Sequence, residues 1–253
     1  MRILLSGFNG AMGKEVTKLA ETGYCGAEIV AGVDINASGD ETFAGHGVPV
    51  AKTFAEAATD VDVIVDFSHH SLTADLVKFA VDHGTRLVLA TTGQTDEEKA
   101  MIAEAGKKIP LFFAANYSMG IAILIELAKK TAALMPDAEV EIVEVHHDRK
   151  VDAPSGTALA IAEGVKEVRP GSEIVCGRNG MKKREHSDIG VSSVRIGNVA
   201  GIHEVLIGTN NQTITLKHEA HNRALFAEGA LSAAAWLMDQ PAGLYNMNDM
   251  IKS

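Results

Sequence analysis

The sequence predicts an α/β protein in which a doubly wound parallel sheet, covered by helices on both faces, carries an inserted α+β domain with a mixed sheet. Three observations predict this fold class. Short apolar runs alternate with amphipathic segments in the first half of the 253-residue chain. A glycine-rich turn follows the first apolar run. Near residue 116 the pattern changes to a long helical stretch and then to strand-like runs separated by Gly and Asn turns.

Five apolar runs in the first half are typical of strands buried in a parallel sheet, being short and rich in Val, Ile and Leu. The predicted strands lie at residues 3–5, 29–33, 61–66, 86–90 and 111–114. Helical spacing of Leu, Val and Ala predicts helices at residues 14–21, 72–83 and 97–107. This βαβ alternation places neighbouring strands parallel, with helices on both faces.

The second half has a different order of elements. Helices are predicted at residues 121–134 and 157–168, and strands at residues 139–147, 192–196, 204–207 and 213–216. An amphipathic helix is predicted at residues 223–238. We therefore predict a Rossmann-type dinucleotide-binding domain formed by residues 1–115 and 223–253. A second domain, residues 116–222, is inserted before the last helix.

Composition excludes several function classes. The net charge is −10 and the pI about 5.4, so no basic stripe is present to bind nucleic acid. The compact basic run at residues 182–184 is expected to be a solvated loop. No stretch approaches the ~20 apolar residues that span a bilayer. Cys25 and Cys176 are isolated, which favours a reducing, cytoplasmic location.

A glycine-rich turn is the first candidate site. The first strand runs into Gly7-Phe8-Asn9-Gly10-Ala11-Met12-Gly13 and then into a helix. Glycines let the backbone approach a pyrophosphate, and the helix N-terminus presents free N–H groups to it. Many glycine-rich turns bind nothing, but the order strand, turn, helix favours a nicotinamide dinucleotide.

An acidic residue after the second strand bears on which dinucleotide is bound. Asp34 lies about 20 positions past the glycines, where a carboxylate binds the ribose hydroxyls of NAD. A simple strand-end turn is the alternative. No Lys or Arg directly follows Asp34 to meet a 2′-phosphate, which favours NADH slightly. Lys14 in the glycine-rich turn could contact such a phosphate, which leaves NADPH open.

Two later strand ends carry small polar residues. Ala90-Thr91-Thr92 and Ala115-Asn116-Tyr117-Ser118 follow predicted strands at the carboxyl edge of the sheet, where ligands bind. We expect them to line the nicotinamide pocket. Ordinary βα loops are the alternative for either segment taken alone.

The densest cluster of ionisable donors lies after the strand at residues 139–147. His146, His147 and Lys150 are followed by Ser155-Gly156-Thr157 at the start of a helix. A helix N-terminus flanked by hydroxyls is a carboxylate site, and a lysine adds a point charge. The pattern indicates a small anionic substrate beside a proton donor. A surface His pair, a plain helix cap, or a metal site using Asp148, Asp152 and His203 are the alternatives, although no established metal spacing links these residues.

The segment from Glu144 to Thr157 resembles the signature of the dihydrodipicolinate reductases, in its His-His pair, its lysine and its Asp-Ala-Pro-Ser-Gly-Thr run. The resemblance extends over essentially the whole chain. Further landmarks are the Met12-Gly13 end of the turn, Asp66-Phe-Ser68, and the stretch from Arg195 to Glu204. One departure is Ala90, where the family often has Gly.

The resemblance implies a two-domain reductase of 4-hydroxy-tetrahydrodipicolinate, a dicarboxylate of diaminopimelate and lysine biosynthesis. It implies a homotetramer assembled through the sheet of the second domain, which also binds the substrate. By motif position, His146 is the proton donor and Lys150 its catalytic partner. The carboxylates are held by His147, Lys150, Ser155, Gly156 and Thr157. The cofactor contacts are Gly7, Phe8, Asn9, Gly10, Ala11, Met12, Asp34, Ala90, Thr91, Thr92, Ala115, Asn116, Tyr117 and Ser118.

Three other functions remain possible at this stage. One is another NAD(P)-dependent imine or amino-acid dehydrogenase of similar build. The predicted carboxylate pocket argues against it, because Lys150 with Ser155-Gly156-Thr157 fits a dicarboxylate. A second is a non-catalytic NAD sensor, which has no use for His146, His147 and Lys150 together. The third is a metal-dependent hydrolase that uses the histidines.

Overall fold

The computed structural model describes residues 1–39, 41–43 and 45–252. In these residues the helices are α1 (Ala11–Glu21), α2 (Thr73–His83), α3 (Asp96–Gly106), α4 (Met119–Leu134), α5 (Gly156–Val168), α6 (Ala224–Leu237) and α7 (Met247–Lys252). The strands are β1 (Arg2–Ser6), β2 (Glu28–Val33), β3 (Thr42–Phe43), β4 (His46–Gly47), β5 (Val50–Ala51), β6 (Val63–Asp66), β7 (Arg86–Leu89), β8 (Pro110–Phe113), β9 (Glu139–His146), β10 (Glu173–Cys176), β11 (Asp188–Arg195), β12 (Gly201–Thr209), β13 (Gln212–Ala220) and β14 (Gly243–Tyr245).

The chain forms two compact units. The first is Met1–Ser118 together with the segment from Arg223 onwards, and the second is Met119–Asn222. The boundary therefore lies three residues later than predicted. Tyr117 belongs to the first unit because its hydroxyl donates to the Leu89 carbonyl (2.9 Å) and also lies 3.2 Å from the Phe112 carbonyl.

The first unit contains the predicted parallel sheet. Its strand order is β14-β8-β7-β6-β1-β2-β5, and each neighbouring pair is parallel. Strands β2 and β5 lie on one side of β1, and β6, β7, β8 and β14 lie on its other side. The carboxyl ends of β1 and β6 thus flank the switch point at which open α/β sheets bind ligands.

The strands of this sheet are buried on both faces, as their continuous apolar runs predict. One face packs against α2 and α3 through Leu76 and Ile102, which contact Leu4, Ile64 and Leu87. On the other face the Phe112 ring meets the Trp236 ring of α6 edge-on, with centroids 6.1 Å apart.

Two further elements follow the helix predicted at residues 223–238, which is α6. After α6, strand β14 joins the edge of the sheet beside β8, and α7 follows. The second unit is therefore inserted before α6, β14 and α7. A strand of three residues has too little periodicity to be predicted, and β8 supplies the partner that makes it a strand.

The second unit is built on the predicted mixed sheet. Its order is β10-β11-β9-β12-β13, with β10, β11 and β9 parallel and the two remaining pairs antiparallel. Helices α4 and α5 cover one face, where Leu124 and Ile161 pack on Val140, Ile142 and Val205. Burial alternates along β9, so every second side chain points at the helices.

The covered face of this sheet changes from aliphatic to polar along β9. After Val140 and Ile142, the same face continues with Glu144 and His146. The register places Ser193 and His203 beside Glu144, and Arg195 beside His146. These five polar side chains lie at one end of an otherwise apolar face.

The basic run at residues 182–184 is not simply a solvated loop. Arg184 donates to the Glu141 carboxylate (3.0 Å) and to the carbonyls of Val140 (3.1 Å) and Asp188 (2.6 Å). Arg184 therefore binds the loop to the sheet. Within the described residues, none of the helices is long and apolar enough to cross a bilayer.

Gly229 tests the packing that fixes the end of the first unit. A β-carbon at this position would lie 1.7 Å from the Tyr117 carbonyl oxygen. Because backbone cannot yield easily, we expect Gly229→Ala to lower the free energy of unfolding by about 3 kcal/mol. Gly47→Ala, where a β-carbon meets nothing within 4 Å, is the matched control. Equal stability of both variants in urea unfolding would contradict the packing.

Candidate active site

The glycine-rich turn is shaped by two close backbone approaches. Gly7 has φ +80°, and a β-carbon there would lie 2.6 Å from the Phe67 carbonyl oxygen. A β-carbon at Gly13 would lie 2.2 Å from the carbonyl oxygen of Gly7. Both positions therefore require glycine, since a side chain would push the turn away from β6 and from its own helix.

The helix after the turn has an open N-terminus. Ala11 is the first residue of α1, and its N-cap Gly10 supplies no capping side chain. The first turn carries no acidic residue, so the N–H groups there keep their affinity for an anion. The Phe8 ring is buried over Gly32 of β2, so Phe8 offers backbone and not side chain to a ligand. This cradle fits the pyrophosphate of a dinucleotide.

Two carboxylates flank the turn. Asp34, directly after β2, accepts hydrogen bonds from the N–H groups of Asn9 (2.9 Å) and Asn36 (2.8 Å). Glu41 accepts from the Ser38 N–H (2.6 Å), and the Asn9 side-chain amide lies 3.4 Å from it. The Ser38 N–H is the main cause that lowers the pKa of Glu41. Glu41 has no sequence signal, because its approach depends on the loop after β2.

A buried carboxylate organises the carboxyl ends of β6 and β7. Asp66 accepts from the hydroxyls of Thr91 (2.6 Å) and Ser68 (2.6 Å). Burial raises the pKa of Asp66, and these hydrogen bonds oppose the rise. The Thr91 hydroxyl is thus directed into the protein. Its contribution to the site is to hold the two loops together.

A small, largely apolar pocket lies at this edge of the first unit. Its lining residues are Met12, Phe67, Ala90, Thr92, Ala115, Asn116, Tyr117 and Phe226. Six of these were predicted from the sequence, whereas Phe67 and Phe226 were not assigned to the cofactor site. The Tyr117 hydroxyl is bonded to strand carbonyls, so only its ring faces the pocket. Ser118, whose N–H donates to the Asn116 side chain (2.8 Å), is buried outside the lining.

In the second unit, Glu144 is the centre of the polar cluster. Its side chain is fully buried. Arg195 donates to both of its oxygens, at 2.9 and 2.8 Å, and the Ser155 N–H donates to one of them at 3.1 Å. His146 Nδ1 lies 2.5 Å from the other oxygen. Every lone-pair direction of this carboxylate is therefore used inside the protein.

The environment of Glu144 shifts the pKa of its carboxyl group. Burial by itself would raise it, but the hydrogen bonds from Arg195, His146, Ser193 and the Ser155 N–H outweigh burial and lower the pKa from 4.5 to about 2. The carboxylate is ionised over the whole physiological range. It stabilises the fold above pH 4.5, and this contribution is lost as the pH falls through about 2.

The ring of His146 has one occupied and one open nitrogen. Nδ1 faces Glu144, so Nε2 is the atom left for a substrate. A β-carbon at Gly201 would lie 3.1 Å from Nε2, and the absence of a side chain there keeps space beside this nitrogen. The ring of His203 meets that of His146 edge-on, with centroids 5.2 Å apart.

His203 connects the cluster to the start of α5. Its Nε2 lies 3.2 Å from Ser155 Oγ, which also accepts from the Ala158 N–H (3.2 Å) as the N-cap of α5. Burial first, and then the charge of His146, lower the pKa of His203 to about 4. His203 is therefore neutral at physiological pH, and its ring lies against Ser155. Among the described residues, no three His, Cys, Asp or Glu side chains lie together as metal ligands.

The other predicted substrate contacts surround this cluster. The His147 N–H donates to the Val199 carbonyl (2.8 Å). Lys150 Nζ is paired with the Asp152 carboxylate (2.7 Å), which lowers the pKa of Asp152. Gly156 is exposed at the start of α5, and Thr157 follows it half-buried. The site thus combines a lysine, the start of a helix and an imidazole nitrogen, which suit a small carboxylate substrate and one proton transfer.

Comparison with known proteins identifies relatives over the whole chain. The family model for the N-terminus of dihydrodipicolinate reductase matches residues 1–117, and the model for its C-terminus matches residues 120–251. The 4-hydroxy-tetrahydrodipicolinate reductase of Caldanaerobacter subterraneus subsp. tengcongensis is 42% identical over 254 residues, covering 100% of this chain and 98% of the relative.

Solved structures extend the comparison. A dipicolinate-bound dihydrodipicolinate reductase from Paenisporosarcina sp. TG-14 is 27% identical, with a TM-score of 0.81 and 97% of each chain covered. An amine dehydrogenase from Mycobacterium smegmatis is 12% identical with a TM-score of 0.60, covering 98% of this chain and 95% of its own. The second likeness is one of fold alone.

Arg195 tests the balance of charge at Glu144. Removing the guanidinium leaves a buried carboxylate without its strongest donor, so we expect Arg195→Ala to cost about 3–5 kcal/mol in the free energy of unfolding. Arg149→Ala, which breaks an exposed pair with Asp148, is the control and should cost less than about 1 kcal/mol. Urea unfolding of both variants measures the difference, and a cost for Arg195→Ala as small as the control would refute the pairing.

Proposed function

The chain belongs to the dihydrodipicolinate reductase family, and on this premise we propose that His146 donates the proton in its reaction. That reaction is the nicotinamide-dependent reduction of 4-hydroxy-tetrahydrodipicolinate to tetrahydrodipicolinate in diaminopimelate and lysine biosynthesis. The observation that supports the assignment is the contact of His146 Nδ1 with the ionised Glu144 carboxylate, which leaves Nε2 open. A positioned general acid contributes about 10²–10⁴-fold to a rate.

The substrate carboxylates are proposed to bind at the start of α5 and at Lys150. Gly156 and Thr157 lie in the first turn of α5, whose N–H groups attract an anion, and Ser155 and His147 complete the set. Lys150 is held by the exposed Asp152, which a substrate carboxylate can replace as its partner. The relative solved with dipicolinate, itself a dicarboxylate, supports this choice of ligand.

The cofactor is proposed to bind at the carboxyl edge of the parallel sheet. When bound, the nicotinamide supplies the hydride. The backbone from Gly7 to Met12 would hold the pyrophosphate, and Asp34 the ribose hydroxyls. The pocket lined by Ala90, Thr92, Ala115 and Asn116 would take the nicotinamide ring.

We propose that NADH is preferred to NADPH. Asp34 and Glu41 bring two carboxylates to the turn, and within the described residues neither is paired with Lys or Arg. A 2′-phosphate at the ribose would face this negative charge. Glu41 therefore supports the same cofactor preference as Asp34, because its carboxylate also lies beside the glycine-rich turn.

We also propose a homotetrameric assembly and a cytoplasmic location. A homotetramer assembled through the second-unit sheet is supported by the face opposite α4 and α5, where Val143, Val145 and Leu206 are only half-buried and Val194 is 41% exposed. A cytoplasmic location is supported by Cys25 and Cys176, both free thiols at the surface.

Substitutions at the two proposed catalytic groups should differ in kind. We expect His146→Gln to lower kcat by about 10²–10⁴-fold with little change in KM, because it removes only the proton donor. Lys150→Ala should lower kcat and raise KM, because it also removes a carboxylate partner. Lys182→Ala, on an exposed side chain, is the control. Wild-type turnover of His146→Gln, measured by nicotinamide absorbance, would refute the assignment.

Glu41 tests the cofactor preference. Glu41→Gln removes one negative charge beside the ribose site, so we expect kcat/KM for NADPH to rise relative to that for NADH by about tenfold, the equivalent of roughly 1.4 kcal/mol. Glu104→Gln removes an equal charge near the end of α3 and should leave the ratio unchanged. Wild-type steady-state kinetics with both cofactors provide the baseline. A wild-type preference for NADPH would contradict the proposal.

A further inference from the structure

We propose that Glu144, clamped by Arg195, is a positioning residue that fixes the proton-bearing nitrogen of His146 and joins His146 to the substrate-binding end of α5. The inference rests on the proposed role of His146 as proton donor. It gives a function to Arg195, which no motif assigned. It also specifies that Nε2, and not Nδ1, delivers the proton.

The chemistry of the Glu144–His146 pair determines which ring nitrogen carries hydrogen. An ionised carboxylate only accepts hydrogen bonds, and Glu144 is ionised and fully buried. The nitrogen that it contacts, His146 Nδ1, must therefore carry hydrogen in both the protonated and the neutral ring. In the neutral ring this leaves Nε2 without hydrogen, ready to take up the next proton.

The Glu144 carboxylate is also held rigidly. Arg195 binds both oxygens in the forked geometry that a guanidinium and a carboxylate share. The same guanidinium donates to the Asp152 carbonyl (2.5 Å), so Arg195 is anchored on the loop that carries Lys150. Because both oxygens are held, Glu144 cannot rotate to release the His146 ring.

Glu144 is also linked to the substrate-binding turn. The oxygen of Glu144 that faces away from His146 accepts from the Ser155 N–H (3.1 Å), immediately before α5 begins. One carboxylate therefore sets the position of the proposed proton donor and of the proposed carboxylate-binding turn. This connection keeps the two parts of the site in register.

Among the charged and titratable groups that face the His146 ring, Glu144 has the strongest influence on it. The ring faces Glu144 on its own strand, Arg195 on β11 and His203 on β12, with Lys150 in the loop that follows β9. Arg195 is neutralised by Glu144, and His203 is uncharged at neutral pH. Glu144 is thus the anion in direct contact with the ring.

The proton step can be written in full. 4-Hydroxy-tetrahydrodipicolinate loses water to give a conjugated imine. In protonated His146 the Nε2–H bond breaks, and the proton passes to this imine as it takes up a hydride, which the reduced nicotinamide would supply. The neutral ring keeps its remaining hydrogen on Nδ1, bonded to Glu144. A proton from solvent then restores Nε2–H for the next turnover.

Glu144→Gln is the informative substitution because it keeps the shape and removes the charge. The amide oxygen will turn to the Ser155 N–H, which leaves the amide NH₂ facing His146 Nδ1. Nδ1 must then accept a hydrogen bond, so the neutral ring carries its hydrogen on Nε2 and the protonated ring is disfavoured. We expect kcat to fall by about 10²–10⁴-fold, with activity lost at a lower pH than in wild type. KM should change far less than kcat.

A spectroscopic measurement tests the tautomer without substrate or cofactor. In ¹⁵N-histidine-labelled full-length protein, the neutral His146 ring should show hydrogen on Nδ1 in wild type and on Nε2 in Glu144→Gln. The ¹⁵N signals that disappear in His146→Gln are those of the His146 ring. Glu141→Gln is the matched control, since it neutralises an Arg-paired glutamate of the same strand on the opposite face. It should leave both the signals and the turnover unchanged.

The outcomes separate the two proposals. Hydrogen on Nε2 in the neutral wild-type ring overturns the positioning role even if the variants fail to fold. If Glu144→Gln keeps the kcat and the pH profile of wild type, the positioning role is also overturned. The proton-donor assignment is then still tested separately by His146→Gln. Full turnover of His146→Gln removes the proton-donor assignment itself, whatever the tautomer. Arg195→Lys, which keeps the carboxylate but loses the fork, should retain hydrogen on Nδ1 and lose less kcat than Glu144→Gln.

Discussion

The buried charge of Glu144 is the constraint on which the substrate unit depends. An ionised carboxylate in a protein interior is tolerated only when it is paired and fully hydrogen-bonded. Here the partners come from three separate segments: the His146 ring on the same strand, Arg195 on the neighbouring strand β11, and the Ser155 N–H before α5. Satisfying one carboxylate therefore fixes the relative positions of the strand end, the adjacent strand and the helix start.

A second buried carboxylate has a related role in the cofactor unit, with different chemistry. Asp66 lies at the carboxyl end of β6 and is held by the hydroxyls of Ser68 and Thr91. Within the described residues it is not paired with arginine, and burial raises its pKa, whereas the hydrogen bonds led by Arg195 lower that of Glu144. Both carboxylates hold loops at strand ends. Only Glu144 touches a group proposed to take part in the chemistry.

Much of the fold was predictable because its signals are local. The strand predicted at residues 139–147 is β9 (Glu139–His146), and the helix predicted at residues 157–168 is α5 (Gly156–Val168). The failures have a common cause. Strand β14 and the boundary at Ser118 depend on contacts with β8 and α6, which no short window of sequence contains. The bond from the Thr91 hydroxyl to Asp66 likewise joins loops 25 residues apart.

The sequence by itself determined the chemical inventory and its local order: the strand, glycine turn and helix of the cofactor unit, and the donors collected between Glu144 and Thr157. Local order is readable because backbone propensity and side-chain periodicity act over a few residues. Only the tertiary structure decided which donor meets which acceptor. Arg195 and His203 reach Glu144 and His146 through the pairing of β11 and β12 with β9. Strand register selects these partners, and a shift of one residue would turn the whole cluster to the other face of the sheet.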